Sequence, residues 1–298
     1  MIDAQRWPAA GPLVGLRRPD LWLRNRPRVP ATPERDIAAQ LRPWGVTPDG
    51  PALRIGSGRS LTLIVECVEG PMLVKRSKAG LEDASIASEH AVLEELRRQG
   101  AQAVRLRRTT TGETLVHDGT DRVAVFDALN GYVPMHELLL APGARRRAAG
   151  AAGTALARLH EALRTFTPPT TPSTGLDPVG GRARPSSWHV ERLEAPTADA
   201  TFRAAAGRLR ELDPMLAALN LRATVIHGDF GPYNLLVRRG QPMVLADFEL
   251  ARRDWRLVDV ATAVPRFSVS RLGFGRSRAL AFLAGYREVD PAIAEELP

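Results

Sequence analysis

The chain has 298 residues, 44% of them hydrophobic and 25% charged, values of an ordinary globular protein with one large domain or two modest lobes. A single cysteine, Cys67, excludes an intrachain disulfide and a cysteine-based metal cluster, and no stretch approaches the roughly 18 to 20 apolar residues of a membrane span. The formal charge of +8 raises nucleic acid as a partner. Yet only Lys75 and Lys78 of the 41 basic residues are lysines, a compositional bias, and no arginine run alternates with aromatics as a stacking platform would, so no nucleic acid is expected.

The opening residues lack the apolar core of a secretion signal, so the expected location is the cytoplasm. Residues 1–33, rich in Pro and Arg, read as an extension without sustained periodicity. A short helix follows, with Ile37, Leu41 and Trp44 on one face. From Leu53 to Lys75 the pattern is that of strands: Leu53–Ile55 running into Gly56-Ser57-Gly58, then Leu61–Val68, a turn at Glu69-Gly70, and Pro71–Lys75. Leu81–Arg98 repeats Ile86, His90, Leu93 and Leu96 near the helical period. Arg122–Phe126 is a further apolar strand, broken at Asn130-Gly131. Helices dominate afterwards: Ala148–Leu163, then Ala204–Leu221 beyond a Pro/Thr/Gly-rich loop at Thr165–Ser187, and Ser277–Glu296 at the end. Two short apolar strands, Thr224–Ile226 and Met243–Leu245, interrupt them. Strands first and helices second predict an α+β chain with a sheet lobe and a helical lobe.

The most informative segment is Val225-Ile226-His227-Gly228-Asp229-Phe230-Gly231-Pro232-Tyr233-Asn234, followed by Asp247-Phe248-Glu249 after the second apolar strand. Asn234 stands five residues after Asp229, and Asp247 thirteen after Asn234. Phosphoryl transfer needs these residue types: one carboxylate to orient a hydroxyl and accept its proton, and a carboxylate plus a neutral oxygen ligand to hold Mg²⁺ against phosphates. Gly56 and Gly58 between two strands give backbone that can approach phosphates without Cβ obstruction. Lys75 ends an apolar strand and remains lysine in an arginine-rich chain, as suits a compact charge placed between phosphates. His227, by contrast, is expected to brace its loop and not to act as the base.

These residues resemble the aminoglycoside phosphotransferase family, which includes choline and homoserine kinase relatives and shares the protein-kinase fold. The family's His-Gly-Asp…Asn loop matches 227–234 and its Asp-Trp/Phe-Glu motif matches 247–249. Asp254-Trp255-Arg256-Leu257-Val258-Asp259 resembles the Asp-rich segment that follows, with Arg253 and Trp255 in place of Gly and Pro. The resemblance implies a two-lobed kinase-like fold, with the nucleotide grip in 34–129 and the catalytic loop, metal site and acceptor site in 130–298. It implies Asp229 as the catalytic base or hydroxyl-orienting group, Asn234 and Asp247 as metal ligands, and Lys75 as the phosphate contact held by Glu89, with Glu82 and Glu94 as the alternatives to Glu89. The backbone of Asp127 and Leu129 would serve as the hinge that meets the nucleobase. Asp259 would accept catalytic-loop N–H groups, and the Leu156–His160 stretch would be a packing feature.

The expected activity is transfer of the γ-phosphoryl group of ATP or GTP, with Mg²⁺, to an alcohol hydroxyl of a small molecule. Two alternatives stand beside it: a kinase for Ser/Thr hydroxyls of a precursor peptide, and an inactive kinase-fold binding protein. Arg252, Arg253, Arg256, Arg266, Arg271, Arg276, Arg278 and Arg287 follow the metal motif, with few acids among them, which predicts a neutral or anionic acceptor.

Overall fold

A computed structural model describes residues 37–57, 60–77, 83–138, 142–169, 221–270 and 273–296, with isolated positions between 200 and 211. The N-terminal extension, Gly58, most of the Thr165–Ser187 loop and the helix expected at Ala204–Leu221 lie outside the described residues. Contacts divide the chain into two compact units. One holds the described residues up to Ile86, Leu93–Ala144 and Pro232–Ala246. The other holds Ala87–Val92, the described part of Arg145–Gly231, and the chain from Asp247 onward.

The first unit is built on a curled antiparallel sheet. Strands β1 (Pro48–Ser57), β2 (Ser60–Cys67), β3 (Met72–Ser77), β4 (Val116–Asp118) and β5 (Asp121–Asp127) lie in the order β1-β2-β3-β5-β4. The period of two sorts their side chains. Leu63, Val65 and Cys67 on β2, Met72 and Val74 on β3, and Val123 and Val125 on β5 bury one face together with Leu41 and Trp44. Those last two come from helix α1 (Ile37–Leu41) and the 3-10 turn Arg42–Trp44. Burial in this cluster raises the Cys67 thiol pKa to about 11, so it behaves as a small apolar side chain. Lys75 alternates with Val74 and so belongs to the opposite face, in register with Thr62 on β2 and Ala124 on β5.

Helix α2 (Asp83–Arg98) buries Ile86, His90, Leu93 and Leu96, the residues whose spacing predicted it. A second, three-stranded sheet joins β6 (Val133–Pro134), β8 (Leu235–Val237) and β9 (Val244–Leu245), with β8 central.

In the second unit, β7 (Ala223–Ile226) pairs antiparallel with β10 (Arg252–Trp255), Ile226 opposite Arg252. The two apolar strands flanking the catalytic segment therefore belong to different sheets, and the return toward Asp247 is made by β8 with β9. Helices α3 (Pro142–Ala162), α4 (Arg256–Ser268) and α5 (Arg276–Val289) complete the unit, with a short ribbon of β11 (Val269–Ser270) and β12 (Gly273–Phe274) between the last two.

Glycine lets α3 and α5 meet at backbone distance. A Cβ on Gly153 would lie 2.0 Å from the Phe282 carbonyl oxygen, and one on Gly285 2.0 Å from that of Gly150. Thr154 donates its hydroxyl to the Gly285 carbonyl at 3.1 Å across the same crossing. Among the described residues no helix is long and apolar enough to cross a membrane.

Candidate active site

The predicted catalytic loop leaves the end of β7. The Gly228 backbone has φ 80°, a left-handed conformation, and a Cβ there would stand 2.3 Å from the Leu250 carbonyl oxygen. Only glycine fits both demands. The turn is fastened by Asp259, fully buried in the first turn of α4. Its Oδ2 accepts the His227 N–H at 2.7 Å and its Oδ1 the Gly228 N–H at 2.9 Å. His160 Nε2 bonds Oδ2 at 3.1 Å, and His160 Nδ1 lies 2.7 Å from the Tyr286 hydroxyl. Burial pushes the Asp259 carboxyl pKa upward, but the bonds from His160 and His227 outweigh it and hold the group below the usual carboxylate range. Burial also pushes the Tyr286 hydroxyl pKa well up, so it remains a neutral partner.

His227 is fully buried, its ring 4.6 Å from that of Phe248. Its Nδ1 accepts the Asp229 N–H at 3.3 Å, which places the ring proton on Nε2. The bracing expected of His227 and the acceptor role expected of Asp259 are both present. His160, read from sequence as packing alone, is also part of the hydrogen-bonded chain behind the loop.

Asp229 is part-exposed, and its Oδ1 receives Arg266 Nη2 at 2.8 Å. Arg266 also donates from Nη1 to the Phe230 carbonyl at 3.2 Å. This partner was not found by sequence reasoning, although a signal exists. Arg266 stands seven residues after Asp259, two turns along the same face of α4, while Val260, Ala263 and Phe267 bury the adjoining stripe.

Asn234 is buried immediately before β8, and its carbonyl accepts the Ala246 N–H at 3.0 Å. The β8–β9 pairing thus sets Asn234 opposite the residue that precedes Asp247. Asp247 is exposed and, alone among the described non-glycine residues, has a positive φ, 63°. A left-handed carboxylate residue costs about 1–2 kcal/mol, strain of a kind that gathers at functional sites.

The remaining predicted residues are distributed as follows. Lys75 is half-buried in the middle of the five-stranded sheet, and Glu89 is buried on α2. Gly56 lies near the end of β1, opposite Thr62, next to a register shift in the β1–β2 ladder. Asp127 ends β5, donates its N–H to the Arg105 carbonyl at 2.9 Å, and pairs its carboxylate with Arg107 at 2.9 Å. The Leu129 carbonyl accepts the Tyr132 N–H at 3.2 Å. Among the described residues no cluster of three or more His, Cys, Asp or Glu has metal-site geometry.

The arginines after Glu249 are not one positive wall. Arg252 is buried against Asp254 at 2.8 Å, and Arg256 is buried between Asp290 and Glu296. Desolvation raises the Asp254 pKa even against the Arg252 charge. These pairs neutralise themselves within the fold.

Residues 52–297 match the sequence pattern of the phosphotransferase enzyme family. The chain belongs to that family. A homoserine kinase of Chelativorans sp. (strain BNC1) is 30% identical over 155 residues, which are 50% of this chain and 45% of that protein, so the match spans less than half the relative's length. Among solved structures, an amicoumacin kinase complexed with AMP-PNP, Ca²⁺ and Ami aligns at TM-score 0.66 and 14% identity, over 86% of this chain and 78% of the other. A microcompartment-associated aminopropanol kinase aligns at TM-score 0.62 and 21% identity, over 88% and 81%. The chain therefore has the kinase-like phosphotransferase fold, and the resemblance carried by residues 227–249 holds at the level of family.

Proposed function

We propose that this family member transfers the γ-phosphoryl group of ATP or GTP to the hydroxyl of a neutral or anionic small molecule. The observation that carries the reading is the loop around Asp229, whose backbone is held by Asp259 and whose carboxylate is held at 2.8 Å by Arg266. A carboxylate so fixed can orient an acceptor hydroxyl and take its proton as the oxygen attacks.

Asn234 and Asp247 offer an amide oxygen and a carboxylate, hard donors suited to Mg²⁺, and the strained Asp247 backbone supports a role beyond folding. The bound metal would neutralise charge on the phosphates during transfer. Lys75 would contact phosphate oxygens, with Glu89 as its carboxylate partner. Gly56 and Gly58 would bring backbone N–H groups to the phosphates. The Asp127 N–H and Leu129 carbonyl are engaged within the chain, so the Asp127 carbonyl and Leu129 N–H are the hinge groups assigned to the nucleobase.

In this division of labour 34–129 form the nucleotide lobe and 130–298 supply the catalytic loop, metal ligands and acceptor wall. A small-molecule acceptor is favoured over a peptide because the relatives named above are kinases of homoserine, amicoumacin and aminopropanol. With Arg252 and Arg256 neutralised internally and Arg266 paired with Asp229, the reading of a neutral or anionic acceptor rests on the small number of acids after Glu249.

The test is a coupled nucleotide-turnover assay over neutral alcohols, hydroxy acids, amino alcohols and aminoglycosides. It is run with the wild type and Asp247→Asn. Turnover with a neutral or anionic alcohol, lost together with Mg²⁺-nucleotide binding in the variant, is expected. Normal Mg²⁺-nucleotide binding by Asp247→Asn removes the metal assignment, and efficient turnover of an aminoglycoside removes the acceptor class.

A further inference from the structure

We infer that Arg266 is a positioning residue for the phosphoryl-transfer step, a clamp that fixes the rotamer of Asp229. This rests on the reading of Asp229 as the base. The backbone of the loop is already set: Asp259 binds the N–H groups of His227 and Gly228, and His227 Nδ1 binds that of Asp229. Each of these bonds holds a backbone N–H group, and Arg266 holds the Asp229 carboxylate. Nη2 holds Oδ1 at 2.8 Å, while Nη1 is pinned to the Phe230 carbonyl at 3.2 Å. One planar guanidinium thereby ties the side chain of Asp229 to the main chain one residue on.

Both fastenings come from one rigid element. Asp259 and Arg266 lie two turns apart on α4, the first gripping the loop by its N–H groups and the second by its carboxylate and a carbonyl. The helix works as a jig for the loop. Arg266 and Asp229 are 31% and 27% exposed, and an ion pair so open to solvent adds little to stability. Its value lies in geometry, where a misplacement of about 1 Å can cost on the order of 100-fold in rate. A lysine keeps the charge, but its point-like ammonium does not reproduce the two-point hold of a planar fork.

The experiment uses slow MgATP hydrolysis, with water as acceptor, in the full chain and in Arg266→Gln and Arg266→Lys. Arg266→Gln is expected to lower kcat about 10- to 100-fold, with KM for MgATP within about twofold and an unchanged unfolding midpoint. Arg266→Lys should recover only part of the loss. A kcat within about twofold of wild type in Arg266→Gln, or a loss confined to KM, overturns the clamp.

Side-chain ¹⁵N NMR gives a readout that needs no turnover. The Arg266 signals, assigned by their absence in Arg266→Lys, should show resolved Nη resonances that merge in Asp229→Asn. Merged Nη resonances already in the wild type refute the clamp. A wild type that neither binds nor hydrolyses MgATP or MgGTP refutes the phosphotransfer reading, and the spectrum then decides the clamp by itself.

Discussion

Replacing Asp259 with Asn tests the fastening of the catalytic loop with almost no change in volume. The carboxylate receives three donors in a fully buried place: His227 N–H and His160 Nε2 on Oδ2, and Gly228 N–H on Oδ1. An amide supplies one oxygen and one NH₂, so in either orientation a donor group faces a donor. A hydrogen bond to a charged acceptor is worth about 1.5–3 kcal/mol net, and a buried donor left without an acceptor costs about 1–3 kcal/mol. That is a large share of the roughly 5–15 kcal/mol that holds a domain folded.

With two compact units, a single global unfolding energy is a poor measure, so the assay is amide hydrogen exchange at His227 and Gly228. Protection there should fall by on the order of 100-fold or more, as expected for a loss of about 3 kcal/mol. The acid limb gives a second reading. Because the Asp259 pKa is depressed in the folded chain, its stabilisation is present above the ordinary carboxylate value of about 3.9 and is lost as pH falls through the lower folded value. Wild-type protection of the loop should therefore persist from neutrality to about pH 4 and decline below it, and the variant should lack that decline. Exchange within about threefold of wild type in Asp259→Asn would refute the fastening.

Gly228→Ala adds a Cβ 2.3 Å from the Leu250 carbonyl at a positive φ; it should cost more than the 1–2 kcal/mol of left-handed strain alone and reduce turnover sharply, measured by steady-state kinetics beside thermal unfolding. Gly285→Ala forces α3 and α5 apart at a 2.0 Å contact and should lower amide-exchange protection in those two helices by on the order of 10-fold or more, whereas Gly240→Ala, with nothing within 4 Å, should cost only its φ strain of about 1–2 kcal/mol. Lys75→Arg should impair kcat despite the retained charge, because the guanidinium does not occupy the same point between phosphates; full activity would mean that charge alone matters there.

The parts of the fold that were legible in sequence are those with a sustained period. Strands β2 and β3 alternate on either side of the Glu69-Gly70 turn, and α2 repeats Ile86, His90, Leu93 and Leu96. Helix α3 begins earlier than predicted because Pro142 opens it and the Arg145–Arg147 run forms its exposed first turns. Strand β10 was hidden because Arg252-Arg253-Asp254-Trp255 has no strand composition. Its inward positions are Arg252 and Asp254, which bury only because they pair with each other. Strands β6, β8 and β9 are two or three residues long, too short to carry a period.

At the candidate site, Asp229, Asn234 and Asp247 stand out in the sequence because phosphoryl transfer calls for such residue types, and their roles belong to the proposed function. The Arg266 clamp does not stand out, since it joins the loop to a helix 36 residues later. Nor did counting arginines reveal that Arg252 and Arg256 spend their charge inside the fold.

The chain changes unit between Gly231 and Pro232 and again between Ala246 and Asp247, and both changes fall within the stretch from Asp229 to Asp247. Neither unit can be excised as one continuous fragment, and a chimera that exchanges either one whole must sever the run of residues from Asp229 to Asp247. Recombination with a relative is then productive only when that run travels intact, with its crossover points before β7 and after Asp247. A library built from relatives should carry residues 223–249 as a single block and keep Asp259 and Arg266 on α4, the two residues that hold that block from outside it.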